Sequence, residues 1–354
     1  FQNEIMLRLE NIHKKLDEFN IREINLEINS GDYFVILGKS GAGKTLVLEM
    51  IAGMLKPDTG TIRMEEQDIT GKPIQQRNVG LVFQDHAVFP HKTVFQNIAY
   101  SLKGAKNKQH KVHQLAEKVQ VKDLLNRYPS TLSGGELQRT ILARTLAADP
   151  KVLLLDEPLA SLDVQYKKEL QSLLRSIHKQ GQTIVHVTHD YGEAMSLADK
   201  VAVMHEGRIV QQGDVHEVFR NPRHKFIADF VGIKNYFRGT VEAIPGEHYK
   251  EIRVTTGVSF KALSEMEVQS ECIVIVEAKG IILSNEKIDS TALNNFRGSI
   301  KDIIPSLNGL EVVVDIGVDM AAIISEKSLE RLQLEKGKQV WMSFKASAVI
   351  LKNI

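Results

Sequence analysis

At 354 residues, 43% hydrophobic and 25% charged, the chain has an ordinary soluble composition with apolar content for two or three domains. Its formal net charge of +1 argues against a nucleic-acid platform driven by bulk charge, and its single cysteine, Cys272, excludes an internal disulfide and fits a reducing compartment. No apolar stretch approaches the roughly 18 residues needed to span a bilayer and no signal-peptide pattern is present, so any membrane role is expected to run through a partner. The chain opens on Phe1 and its first methionine is Met6, so the true start is expected upstream or processed.

From Leu7 to Leu26 apolar and polar residues alternate loosely, with Ile24, Leu26 and Ile28 at strand spacing, which predicts a small antiparallel sheet ending at the turn Ser30-Gly31-Asp32. Tyr33 to Leu37 is an unbroken apolar run of strand length, and Leu46 to Ala52 reads as a helix with no breaker before Gly53. Between them stands Gly38-Lys39-Ser40-Gly41-Ala42-Gly43-Lys44-Thr45, a match to G-x-x-x-x-G-K-[ST] at every fixed position. Glycines let the backbone curl so that its N–H groups face a phosphate chain, and the helix N-terminus adds partial positive charge. Lys44 is expected to reach the β- and γ-phosphates, and Thr45 to offer its hydroxyl to Mg²⁺.

Thr61 to Met64 and Val79 to Phe83 read as further strands, the second ending on Gln84. At the ligand edge of an open α/β sheet Gln84 could reach a metal or attacking water; standing alone it would be a solvated strand end. Helical periodicity then runs from about 92 to 149. Within it, Leu132-Ser133-Gly134-Gly135-Glu136 is either a helix-capping loop or a second anion cradle, and a second cradle invites the nucleotide of another subunit. The helical pair His110 and His113 reads as a solvated face.

Pro150 ends that region, and Val152 to Leu155 is a buried strand closing on Asp156 and Glu157. Two adjacent acids repel, a cost explained if Asp156 faces the metal while Glu157 polarises a water. Thr183 to Thr188 is the next strand, leading to His189 at the ligand edge, where it could donate to a γ-phosphate. His186 points to the opposite face and reads as structural. Beyond about 232 the pattern changes to short strands with an internal repeat: Phe237-Arg238-Gly239-Thr240-Val241 returns as Phe296-Arg297-Gly298-Ser299-Ile300, and Glu251-Ile252-Arg253-Val254 as Glu311-Val312-Val313-Val314. Two copies of one β-rich unit, each completing the other's core, account for both matches.

On these residues, positions 1–232 resemble the nucleotide-binding subunit of an ATP-binding cassette (ABC) transporter: an α/β P-loop NTPase fold with a helical subdomain at about 92–149. Gly38 to Thr45 stands as the Walker A loop, Gln84 as the Q-loop, Leu132 to Glu136 as the family signature, Asp156-Glu157 as Walker B with its catalytic glutamate, Ala160 to Asp163 as the D-loop and His189 as the switch histidine. The resemblance implies an ATPase working as a head-to-tail homodimer, in which Ser133, Gly134 and Gly135 of one subunit close over the ATP held by Gly38, Lys39, Ser40, Gly41, Ala42, Gly43, Lys44 and Thr45 of the other, with Asp163 beside them. It implies that Thr45, Gln84 and Asp156 arrange Mg²⁺ and that Glu157, His189 and Gln84 serve catalysis. It also implies permease partners in the membrane, docked through the segment that includes Phe89-Pro90-His91, a substrate-binding protein acting through them, and a peripheral place on the cytoplasmic face of the cell membrane, without nucleic acid. Where the family stacks adenine on an aromatic ring, Leu16 aligns here, with Phe19 three residues on.

Residues 233–354 are similar to the paired OB-like regulatory barrels of importer ATPases, an all-β domain with repeats at about 236–286 and 291–354. The second repeat looks like the molybdate-binding barrel, which implies regulatory oxyanion contacts from Thr291, Asn294, Ser328, Lys345 and Ser347. Leu293 stands where the family often places arginine, so a barrel that kept the fold and lost the oxyanion is the competing reading. The cargo implied is molybdate or tungstate; the alternatives are the same engine with sulfate, ferric iron, polyamine or sugar, and a soluble ABC ATPase acting on nucleic acid or ribosomes.

Overall fold

Ile5–Lys15 (β1) and Asn20–Asn29 (β2) form an antiparallel hairpin whose apolar residues, Leu7, Leu9 and Ile12 on one strand and Ile24, Leu26 and Ile28 on the other, are all buried. The computed structural model describes residues 4–83, 87–102, 106–160, 162–244, 248–306 and 309–353. Tyr33–Leu37 (β3) is buried at every position and feeds the glycine loop, followed by Lys44–Ala52 (α1), Thr59–Met64 (β4), Gln67–Asp68 (β5) and Val79–Val82 (β6). Strands β2-β1-β4-β5 make one antiparallel sheet, as the alternation near the N-terminus predicts.

The helical stretch resolves into Val94–Ile98 (α2), Lys108–Lys118 (α3) and Gly134–Leu146 (α4), with His110 and His113 both exposed. Then come Val152–Asp156 (β7), Val164–Lys179 (α5), Thr183–Thr188 (β8), Tyr191–Leu197 (α6), Lys200–His205 (β9), Arg208–Asp214 (β10), Val215–Arg220 (α7) and Lys225–Phe230 (α8). The second sheet runs β10-β9-β3-β8-β7-β6 and is parallel except for the β9–β10 hairpin. Its central strands β3, β7 and β8 are buried on both faces, as parallel strands covered by helices must be. The register Leu37↔Thr188 and Asp156↔Val187 brings the ends of β3, β8 and β7 level, so the residues that follow each strand share one edge.

The chain divides into units 1–220 and 221–354, twelve residues earlier than the change of pattern at 232. The reason is α8, whose Ala228 packs with Tyr236, Ile273 and Ile275 of the second unit.

In that unit, Asn235–Glu242 (β11), Lys250–Thr255 (β12), Val258–Ala262 (β13), Glu271–Val276 (β14) and Ile282–Ser284 (β15) are followed by Asn294–Ser306 (β16), Gly309–Asp315 (β17), Asp319–Ile324 (β18), Glu326–Leu332 (α9), Gln339–Phe344 (β19) and Val349–Asn353 (β20). The sheets are β13-β12-β11-β14-β20 and β15-β19-β16-β17-β18. Each OB-like half thus takes its fifth strand from the other, and one apolar core, with Phe260 edge-on to Phe237, Phe296 and Phe344, spans both.

Two buried asparagines lock this exchange. Asn235 accepts from Ala321 N at 2.7 Å and donates to Ala321 O at 2.8 Å; Asn294 accepts from Lys261 N at 2.7 Å and donates to Lys261 O at 2.9 Å. Both pairs follow the repeat, and each side-chain amide makes the two bonds a neighbouring strand would make with an outer strand, β18 or β13. The Asn294 amide is therefore engaged in the fold through its carbonyl oxygen and one of its two N–H donors. Removing it strands a buried N–H and C=O, so Asn294→Leu and Asn235→Leu are each expected to cost about 2 kcal/mol or more. Chemical denaturation of the full chain measures this, and a loss of a few tenths for either would contradict the lock.

Candidate active site

The phosphate loop is shaped by close approach as much as by turn geometry. Gly43 caps α1 at φ 97°, a left-handed conformation that favours glycine, and a Cβ there would lie 2.7 Å from the Phe19 ring and 2.6 Å from Ile21. Lys44 is 5% exposed, and its Nζ donates to Gly38 O at 2.9 Å and Lys39 O at 3.0 Å while lying 3.8 Å from Glu157 Oε1. Burial lowers the affinity of this ammonium for its proton, against the pull of Glu157 and Asp156.

Thr45 Oγ1 donates to Asp156 Oδ1 at 3.1 Å, so the two proposed cation contacts are already adjacent. Asp156 is 5% exposed, and burial raises its pKa despite the bond from Thr45. Both groups are hard oxygen donors, the kind that suits Mg²⁺ shared with substrate phosphates. Glu157 takes a left-handed backbone at φ 44° and donates its N–H to Val187 O at 2.9 Å, which turns its side chain out of the strand line. Its Oε2 lies 3.0 Å from His189 Nδ1, the ring being half exposed. Lys44, Thr45, Asp156, Glu157 and His189 therefore converge at one sheet edge. Gln84 lies outside the described residues.

Ser133 caps α4 in a reciprocal box, accepting from Glu136 N at 3.3 Å while Glu136 Oε2 accepts from Ser133 N at 2.7 Å. Gly135 is pressed on Tyr166, and a Cβ on Gly134 would touch Leu162 at 3.9 Å, so the signature segment sits against the start of α5. Asp163 caps α5 by accepting from Gln165 N and Tyr166 N, both at 3.1 Å, and Val164 next to it is 73% exposed.

Beside the phosphate loop lies a cavity of about 420 Å³, lined by Phe19, Arg22, His205 and the loop residues Lys39 to Ala42. Leu16 is half-buried and closes a turn by donating its N–H to Phe19 O at 2.8 Å; it does not line this cavity. Of the two candidates for the base contact, Phe19 is the side chain that meets the loop. In the second unit Thr291, Lys345 and Ser347 are exposed around the pairing of Asn294 with Phe344, while Ser328 lies on α9 with its hydroxyl 3.0 Å from that of Ser325. His186 is fully buried, with Nδ1 3.0 Å from the Tyr33 hydroxyl, and burial pushes its pKa down to about 3; it is a neutral core residue, as its face of the strand predicts.

Residues 21–160 match the ABC transporter family and residues 290–351 the TOBE domain. The chain is 40% identical to the molybdate/tungstate import ATP-binding protein of Pyrococcus abyssi over 350 residues, 97% of this chain and 99% of that protein. It is 44% identical over 241 residues to a sulfate/thiosulfate import ATP-binding protein of Agrobacterium fabrum, covering 66% of this chain and 71% of that one. Among solved structures, cbiO1 of Clostridium perfringens, part of an ABC transporter complex, superposes with a TM-score of 0.58 at 30% identity over 65% of this chain and 96% of its own. The chain belongs to the ATP-binding proteins of ABC transporters. Within that family it is an import ATPase with a C-terminal TOBE domain.

If Phe19 carries the base contact, Phe19→Ala should weaken ATP binding about fivefold to tenfold or more, the loss of one ring contact, while Leu16→Ala changes it less than about twofold. Calorimetric titration with ATP measures both. Equal losses, or a larger loss at Leu16, would return the contact to the aligned position.

Proposed function

We propose that this chain hydrolyses ATP to drive import of an oxyanion, molybdate or tungstate, as a homodimer docked on membrane permease subunits. The observation that carries the hydrolytic reading is the convergence of Lys44, Glu157 and His189, with Thr45 and Asp156 at their side. In this reading, Lys44 and the N–H groups of the loop bind the phosphates, while Thr45, Asp156 and Gln84 hold Mg²⁺, which when bound would neutralise charge on the transferred phosphoryl group. Glu157 orients a water towards the γ-phosphorus and takes up its proton; the water oxygen bonds to phosphorus as the bond to the β-phosphate oxygen breaks, yielding ADP and phosphate. His189 keeps the Glu157 carboxylate in place and is assigned to the γ-phosphate.

Ser133, Gly134, Gly135 and Asp163 are assigned to the nucleotide held by a second copy, a reading supported by the exposed Val164 beside them. Among the described residues no helix is long and apolar enough to cross a membrane; attachment to the cytoplasmic face through permease subunits that receive cargo from a substrate-binding protein is supported by the likeness to import ATP-binding proteins. The cargo reading rests on the match to the Pyrococcus protein, which runs through both units, where the sulfate/thiosulfate relative covers 66% of the chain. Thr291, Ser328, Lys345 and Ser347 are retained as regulatory oxyanion contacts, with Asn294 supporting the fold around them.

Labelled uptake by cells with and without this gene tests the cargo. Loss of molybdate and tungstate uptake with sulfate and spermidine unaffected is expected. Loss of sulfate or spermidine uptake instead would overturn the cargo and leave the ATPase standing.

A further inference from the structure

Behind the Glu157–His189 pair lies a polar cluster that no step above uses. Thr188, immediately before His189 and 2% exposed, donates its hydroxyl to Glu193 Oε2 at 2.6 Å and accepts from Asp190 N at 3.0 Å. Asp190, immediately after His189, caps α6 by accepting from Glu193 N at 3.2 Å. One cation reaches both acids: Lys167 Nζ is 2.7 Å from Asp190 Oδ2 and 2.7 Å from Glu193 Oε1. Glu193 is only 3% exposed, so a countercharge is what makes its burial tolerable. Burial opposes the charge on Lys167, yet its bonds to Asp190 and Glu193 hold its pKa above the usual lysine value.

The placement gives these contacts a direction. Lys167 lies one turn into α5, the helix that Asp163 caps, whereas Asp190 and Glu193 belong to the loop and helix that carry His189. We propose that Lys167 is a positioning residue for turnover, which holds Asp190 directly after His189 and, through Glu193, the Thr188 hydroxyl before it, sets the His189 ring against Glu157 and ties that setting to the start of α5. The inference rests on the reading of His189 and Glu157 as parts of the hydrolytic site. Without Lys167, Glu193 is left buried with no cation, and Asp190 and Glu193 lose the bonds that tie them to α5. The His189 ring then samples positions away from the carboxylate it must meet.

The test compares Lys167→Met, Lys167→Arg, Asp190→Asn and His189→Ala in the full-length protein, with ATP turnover, ATP affinity and thermal stability measured for each. Lys167→Met is expected to lower kcat about tenfold to a hundredfold while ATP affinity changes less than about twofold, because misplacement of a reacting group penalises the reaction rather than the binding. Lys167→Arg should restore at least about half of the turnover, since a guanidinium still pairs with both acids. Asp190→Asn keeps the cap and breaks the ion pair; it should move kcat the same way and serves if Lys167→Met does not fold. Added to His189→Ala, Lys167→Met should cost little further, since both act through one ring. Turnover within about twofold of the unsubstituted protein for Lys167→Met or Asp190→Asn, or a parallel fall of affinity and kcat, would overturn the proposal. If His189→Ala itself keeps full turnover, the reading of His189 has failed; if it loses turnover while Lys167→Met does not, only the role of Lys167 has.

Discussion

The ATP site depends on one constraint, the level register of three parallel strands. Leu37 pairs with Thr188 and Asp156 with Val187, so the next residue along each strand, Gly38, His189 and Glu157, emerges at the same edge. A slip of one residue would move every side chain of these closely packed strands to the opposite face and take Gly38, Glu157 and His189 out of line. The chemistry is then a matter of short reach. Glu157 bends out at a left-handed residue to meet His189, and Lys44 leans back across the loop towards the same carboxylate. Strain and buried charge are concentrated at that edge, where a substrate phosphate would draw on both.

The second unit solves a different problem. A five-stranded half of this size buries little core alone, and the repeat answers by sharing one: β15 and β20 cross between sheets, and Asn235 and Asn294 tie each half to the outer strand of the other. The exchange makes the two copies inseparable, so neither half is expected to fold by itself. It also decides which polar residues remain for a ligand. Thr291, Lys345 and Ser347 stay at the surface, whereas Asn294 is buried and bonded to Lys261.

Much of this was legible in the chain because it is written locally. A strand, a glycine loop and a helix in series are set by neighbouring residues, and so are the adjacent acids Asp156 and Glu157 and the 59-residue return of Phe-Arg-Gly. What could not be read depends on partners far away. Phe19 meets the phosphate loop only because the β1–β2 hairpin folds over Gly43, and alignment by position points to Leu16 instead. Lys167, Asp190 and Glu193 look like ordinary charges on amphipathic helices until α5 and α6 pack. Asn235 and Asn294 carry no pattern of their own, although their equal place in the two repeats was a signal available in the sequence. The boundary between units falls at 220/221 rather than 232 because α8 reads as a continuation of the first unit and packs with the second.

The central claim is that Glu157 activates the water of hydrolysis in a site completed by a second copy of the chain. Sedimentation of Glu157→Gln with and without ATP, alongside its turnover, addresses both halves at once. The account predicts no turnover above background and an ATP-dependent doubling of mass, because the carboxamide keeps the shape and hydrogen bonding of the site but cannot take up a proton. Turnover close to that of the unsubstituted protein would contradict the role of Glu157, and an unchanged monomer that still binds ATP would contradict the shared site.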